Sequence, residues 1–86
     1  MLSHDEILGR LTNVFRGTFD DDTIEISDAT TAADIEEWDS LAHITLILGV
    51  EREFGIKFKA AEVGSFADVG EMIGLIAQRS GSKAQP

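Results

Sequence analysis

Residues 38–41, Trp-Asp-Ser-Leu, divide the chain into two halves of different character. The segment before them is acidic and has no sustained helical period, whereas the segment after them has the densest apolar pattern of the sequence. Residues 1–40 hold 11 acidic and 2 basic side chains and residues 41–86 hold 5 of each, so the whole net charge of −9 falls in the first half. We therefore expect the main core helix to begin at this junction.

The predicted helix after Asp39 carries two apolar arcs instead of one. At about 100° per residue, one arc is centred away from Ser40 and the other runs in line with it. The first arc contains Leu46, Ile47, Val50 and Phe54, and the second contains Leu41, Ile44 and Leu48. Because a small domain has one core, the first arc is predicted to be buried. The second arc indicates either extra core beneath a long loop or an exposed surface for a partner protein.

Ser40 has a structural and a functional interpretation. Serine and aspartate at a helix start commonly cap the free N–H groups of the first turn, and Asp39-Ser40 is typical of such a cap. A catalytic serine would need an adjacent base, and the sequence has no Gly-x-Ser-x-Gly elbow and only His4 and His43 as candidate bases. We predict no catalytic residue, and we expect His43 to be a boundary residue with a local hydrogen bond.

An acidic segment leads into Asp39-Ser40-Leu41, and the apolar helix that follows ends in Glu51-Arg52-Glu53-Phe54. This combination, near the middle of a short chain, resembles the phosphopantetheine attachment site of the acyl carrier protein family. The resemblance continues through Gly55-Ile56-Lys57-Phe58, Glu62-Val63 and Phe66-Ala67-Asp68-Val69, so that it covers about residues 3–79.

The resemblance implies that Ser40 carries a phosphopantetheine arm whose thiol holds an acyl group as a thioester. It implies that Asp39 helps to place the metal and coenzyme A in the phosphopantetheinyl transferase. Ile44 and Leu48 match family positions that touch this transferase and the acyl-handling enzymes, and with Leu41 and Glu51 they form the predicted partner-binding set. The chain would then be a stand-alone acyl carrier protein, not an enzyme, in fatty-acid or in specialised acyl or polyketide biosynthesis. Its partners would be the transferase and the enzymes that activate and transfer acyl groups.

Two alternatives stay open on the sequence. Ala42, His43 and Thr45 stand where the well-studied fatty-acid carriers have carboxylates, which favours an aminoacyl or peptidyl carrier of a secondary pathway. An unmodified helical adaptor that binds a protein through the second apolar arc fits the same pattern.

Charge and composition disfavour several other classes of function. An acidic protein repels nucleic acid and anionic membranes, and it favours basic protein partners instead. The chain has no cysteine, which excludes a disulfide or a thiolate metal site. The spacing of Asp20, Asp22 and Ile24 breaks the ligand pattern of a calcium loop, so no metal site is predicted. The N-terminus lacks the features of a signal peptide, and we expect a cytoplasmic monomer.

The predicted fold is all-α, a small four-helix bundle of three longer helices and a short third helix. The first helix is predicted to begin with a capping box at Ser3 and Glu6 and to end between Gly17 and Asp22. A long loop over about residues 18–37, pinned by Ile24, Ile26 and Ile35, leads to Trp38, whose ring is expected to pack over the second helix with its indole edge in water. A second capping box at Asp68 and Glu71 begins the last helix, which is expected to reach about Arg79. The carrier-like domain is expected to span residues 1–80, with 81–86 as a flexible tail.

Overall fold

The computed structural model describes residues 2–83, with side chains to Arg79, and the regular secondary structure of these residues is helical. The four α-helices are α1 (His4–Phe19), α2 (Ser40–Phe54), α3 (Ala60–Val63) and α4 (Val69–Lys83), and a short 3₁₀ helix spans Ala32–Asp34. No strand occurs within residues 2–83. The predicted all-α architecture with a short third helix is confirmed.

The start of α1 follows the predicted capping box. The Ser3 hydroxyl accepts from the Glu6 N–H at 3.2 Å, and the Glu6 carboxylate accepts from the Ser3 N–H at 3.0 Å. The helix continues through Gly17, the first residue of the interval in which its end was predicted, because one glycine costs only about 1 kcal/mol in a helix. It ends at Asp20, which takes the left-handed conformation with φ of 52° and donates its N–H to the Arg16 carbonyl.

One core lies between α1, α2 and α4. Each helix contributes a buried stripe at helical spacing, as expected for amphipathic helices that share a single core. The buried residues are Ile7, Leu11, Phe15, Leu46, Ile47, Val50, Phe54, Ile56, Val69, Met72, Ile73 and Ile76. The predicted core arc of α2 is therefore confirmed.

The loop between α1 and α2 is fixed to the helical bundle. Its predicted anchors, Ile24, Ile26 and Ile35, are partly buried against the core. Two loop carbonyls also accept from free N–H groups at the start of α4: Thr30 from Val69 at 2.9 Å and Asp28 from Gly70 at 2.8 Å. A Cβ at position 70 would lie 3.0 Å from the Asp28 oxygen, so this close approach favours glycine.

The start of α4 differs in one bond from the predicted capping box. Asp68 accepts from the Glu71 N–H at 3.0 Å, but the Glu71 carboxylate accepts from the N–H of Ala67, at 3.1 Å, instead of that of Asp68. The helix continues past Arg79 to Lys83, and residues 84–86 of the predicted tail lie outside the described residues. Within residues 2–83, no helix is long and apolar enough to cross a membrane.

Candidate functional site

Asp39 and Ser40 have different roles at the start of α2. Asp39 is the N-cap residue: its carboxylate accepts from the Ala42 N–H at 2.8 Å, and its carbonyl accepts from the His43 N–H at 2.8 Å. Ser40 is the first residue of α2 and is exposed, and its hydroxyl has no hydrogen-bond partner within the described part of the chain. The capping interpretation therefore applies to Asp39, and the Ser40 hydroxyl is free to react.

The backbone around the Ser40 hydroxyl favours negative charge. The N–H groups of Ser40 and Leu41 belong to the free first turn of α2, and neither has a partner among residues 2–83. These groups carry the partial positive charge of a helix N-terminus, and the first turn of α2 contains no acidic residue. An anionic group attached to the Ser40 oxygen would lie next to these donors.

The second apolar arc of α2 lies on the surface. Leu41 is 78% exposed, Ile44 is 50% exposed and Leu48 is 56% exposed, whereas the four residues of the first arc are at most 8% exposed. We call Leu41, Ile44 and Leu48 the apolar strip. Because the strip is open to solvent, the interpretation as extra core beneath the loop is wrong, and the exposed surface extends along α2 from the free serine.

The predicted partner residue Glu51 has an intramolecular contact. Its side chain is half-buried, and its carboxylate accepts from the Phe58 N–H at 2.7 Å. The neighbouring acid Glu53 is paired with Arg10 of α1 at 2.8 Å. Both carboxylates of α2 are therefore bound within the chain, and the exposed face of α2 beside Ser40 is apolar in character. A contact of Glu51 with a partner stays a prediction.

A groove of about 590 Å³ opens beside Ser40. It lies between the first turns of α2 and the segment that contains α3 and leads to α4. Its lining residues are Ala32, Trp38, Asp39, Ser40, His43, Ile44, Val63, Gly64, Phe66, Ala67 and Asp68. The large side chains of this set are mostly apolar, so a group tethered to the Ser40 oxygen has an apolar surface within reach.

Trp38 and His43 form one wall of this groove. The indole packs edge-to-face on Phe15, with ring centroids 5.2 Å apart, and its N–H donates to His43 Nδ1 at 2.9 Å. The indole N–H is thus bonded to the imidazole instead of to water, although Trp38 itself is only half-buried. The bond from Trp38, five residues away, confirms the predicted local hydrogen bond of His43. His43 Nε2 also lies 2.6 Å from the carbonyl oxygen of Val63, a contact across 20 residues that the sequence did not predict. With both ring nitrogens engaged, His43 is not placed to act as a base for Ser40.

His4 lies outside the groove and has its own partner. Its Nε2 is 2.8 Å and 3.0 Å from the two carboxylate oxygens of Asp28 in the loop. The helix dipole alone would disfavour a proton on this residue, but the hydrogen bond to Asp28, followed by the one to Asp5, raises the pKa of His4 above its ordinary value of 6.5. His4 therefore fastens the first turn of α1 to the loop.

Comparison with known proteins gives one informative match. No family model matches the chain, and no curated protein matches it. Among solved structures, the chain is similar to the holo acyl carrier protein from Geobacter metallireducens, determined in solution by NMR. The two are 39% identical, the alignment covers 90% of this chain and 88% of that chain, and the TM-score is 0.83.

Proposed function

This chain belongs to the acyl carrier protein family, and from that premise we propose that it carries acyl groups as thioesters on a phosphopantetheine arm attached to Ser40. The observation that carries the proposal is the free, exposed hydroxyl of Ser40 at the start of α2, where Asp39 alone provides the cap. When bound, the arm supplies a terminal thiol for thioester chemistry, which the cysteine-free chain does not have.

The residues at the start of α2 fit the phosphodiester of such an arm. The unpartnered N–H groups of Ser40 and Leu41 are positioned to donate to phosphate oxygens, and the dipole of α2 stabilises their negative charge. The second carboxylate oxygen of Asp39 has no partner within residues 2–83. We assign this oxygen to the transferase, where it would help to place the metal and coenzyme A while the first oxygen keeps the cap.

The apolar strip is the proposed contact surface for the transferase and for the enzymes that load and use the acyl group. Leu41, Ile44 and Leu48 follow the attachment residue along one face of α2 and are at least half exposed. A partner that buries them removes apolar area from water next to the reacting group. The acidic excess of residues 1–40 would attract a basic rim on that partner at longer range.

A second candidate is a carrier of aminoacyl or peptidyl groups in a secondary pathway. It is favoured by the exposed face of α2, which lacks the free carboxylates expected of a fatty-acid carrier because Glu51 and Glu53 are bound within the chain. The two candidates share the attachment at Ser40 and differ only in the cargo. The mass of the group released from the thioester of protein isolated from its native cells distinguishes them.

The attachment is tested by intact-protein mass spectrometry after incubation of the protein with a phosphopantetheinyl transferase, Mg²⁺ and coenzyme A. We expect a gain of one phosphopantetheine in the wild type and no gain in Ser40→Ala. Ser27→Ala, which removes an exposed serine of the loop, serves as the control and should be modified like the wild type. A wild type that gains no mass would leave the unmodified adaptor as the better interpretation.

A further inference from the structure

His43 connects two distant parts of the chain through its two ring nitrogens. The indole N–H of Trp38 can only donate, so the nitrogen that it meets at 2.9 Å, Nδ1, carries no proton. The proton of the neutral ring is therefore on Nε2, which donates to the Val63 carbonyl at 2.6 Å. The geometry thus fixes one tautomer, and the rings of Trp38 and His43 stack with centroids 5.8 Å apart.

The bond to Val63 holds the end of a short helix whose Val63 side chain is only partly buried against the core. α3 has only four residues and none of them is fully buried. Val63 is its last residue, and the carbonyl groups at a helix end have no partner within the helix. On the other side, the Glu62 carboxylate is paired with the Arg79 guanidinium of α4. α3 is therefore fixed at its C-terminal end by two polar contacts, one to α2 and one to α4.

The contact between His43 and Val63 runs through the lining of the groove beside Ser40. Both residues line this groove, together with Trp38 and Ile44. One turn further along α2, Leu46 and Ile47 are at most 4% exposed, so the space behind the contact is filled by the core. The groove includes Ser40, and the bond between His43 and Val63 joins α2 to α3 within its lining.

We propose that His43 is a positioning residue that latches α3 to α2 and so confines the acyl chain to the surface groove. The inference rests on the proposed attachment at Ser40. It means that a short acyl group lies entirely in the groove, whereas the end of a long one stays in solvent as long as the latch is closed. The latch thus sets the length of acyl chain that this carrier shields from water.

The latch is tested first on the apo protein, independently of any arm. Two-dimensional ¹H–¹⁵N spectra of the imidazoles should show His43 as the Nε2–H tautomer. His43→Ala deletes the latch, and Trp38→Phe keeps an aromatic ring against Phe15 while it removes the N–H donor. We expect amide hydrogen exchange at Glu62, Val63 and Ser65 to accelerate about fivefold in both variants, the factor that corresponds to one net hydrogen bond. His4→Gln, which removes the histidine outside the groove, should leave these rates unchanged.

The second test uses protein loaded by the transferase directly from acetyl-coenzyme A or dodecanoyl-coenzyme A. In the wild type, the dodecanoyl chain should shift the methyl signals of Ile44 and Val63 and leave those of the buried Leu46 and Val50 in place. In His43→Ala and Trp38→Phe, dodecanoyl but not acetyl should also shift the Leu46 and Val50 signals. The latch is refuted by an Nδ1–H tautomer in the wild type or by equal dodecanoyl shifts at Leu46 and Val50 in the wild type and the variants. Failure of the attachment itself is recognised separately, because the wild-type mass then stays unchanged.

Discussion

Leu48 and Leu46 lie two residues apart on α2, and the same substitution at each should have opposite consequences. Leu48 is 56% exposed and belongs to the apolar strip, whereas Leu46 is 0% exposed and belongs to the core. Leu48→Ala should slow modification of Ser40 with little loss of stability. Leu46→Ala should destabilise the fold by about 2–5 kcal/mol, the usual cost of a cavity at a buried leucine.

The size of the effect at Leu48 follows from its exposure. Full burial of a leucine side chain contributes about 1.5–3 kcal/mol, so a partner that covers the exposed 56% gains about 1–1.5 kcal/mol. If the strip contacts the transferase in the transition state, Leu48→Ala lowers kcat/KM by about five- to thirteenfold. The free energy of unfolding should fall by about 1 kcal/mol or less, because more than half of the side chain is already exposed in the free protein.

The assay is the rate of mass gain at several carrier concentrations, which gives kcat/KM for the transferase. Urea denaturation of each apo protein gives the free energy of unfolding. Leu75→Ala, a half-buried leucine of α4 outside the strip, is the control for a general effect of losing a leucine. If kcat/KM for Leu48→Ala stays within twofold of the wild type, or falls no more than for Leu75→Ala, the strip is not the transferase contact.

Three further predictions concern single side chains. Asp39→Asn should keep the cap of α2, and its unfolding free energy should stay within about 0.5 kcal/mol of wild type, since Asn caps as well as Asp. The same substitution should lower the kcat/KM of the transferase. An unchanged kcat/KM would exclude a role for the charge of Asp39. His4 has a raised pKa in the folded state, so its bond to Asp28 stabilises the fold below the ordinary value of 6.5 and loses this effect as the pH rises through the folded value. The difference in unfolding free energy between wild type and His4→Gln should therefore shrink from pH 5.5 to pH 8.5, and parallel pH profiles would contradict the assignment. Asp20→Asn should raise the unfolding free energy by about 0.3–1 kcal/mol, because it removes a negative charge from the C-terminus of α1. Asparagine tolerates the left-handed conformation of this position. A midpoint of urea denaturation below that of the wild type would contradict this prediction.

The features that the sequence predicted well are those set by local spacing. The capping box of Ser3 and Glu6 needs residues three apart, and the two arcs of α2 follow from its helical period. The period could not decide whether the arc of Leu41 and Ile44 is covered, because that depends on where the long loop passes. The end of α1 falls within the predicted interval from Gly17 to Asp22, and the packing of Phe19 against Phe15 carries the helix past Gly17.

The features that the sequence could not predict are contacts between segments far apart in the chain. His43 and Val63 are separated by 20 residues and His4 and Asp28 by 24, and no periodicity relates either pair. The sequence also left open whether Asp39 or Ser40 caps α2. Only the position of the helix start decides this, because it makes Asp39 the N-cap residue and Ser40 the first residue inside the helix.

The most direct test of the proposed function is to locate the attached group by tandem mass spectrometry of the transferase-treated protein. Fragmentation of the peptide that contains Asp39-Ser40-Leu41 should place one phosphopantetheine on the Ser40 oxygen, with every other serine unmodified. An unmodified Ser40 under conditions in which the transferase modifies a known carrier, or an arm found on another serine, would contradict the account.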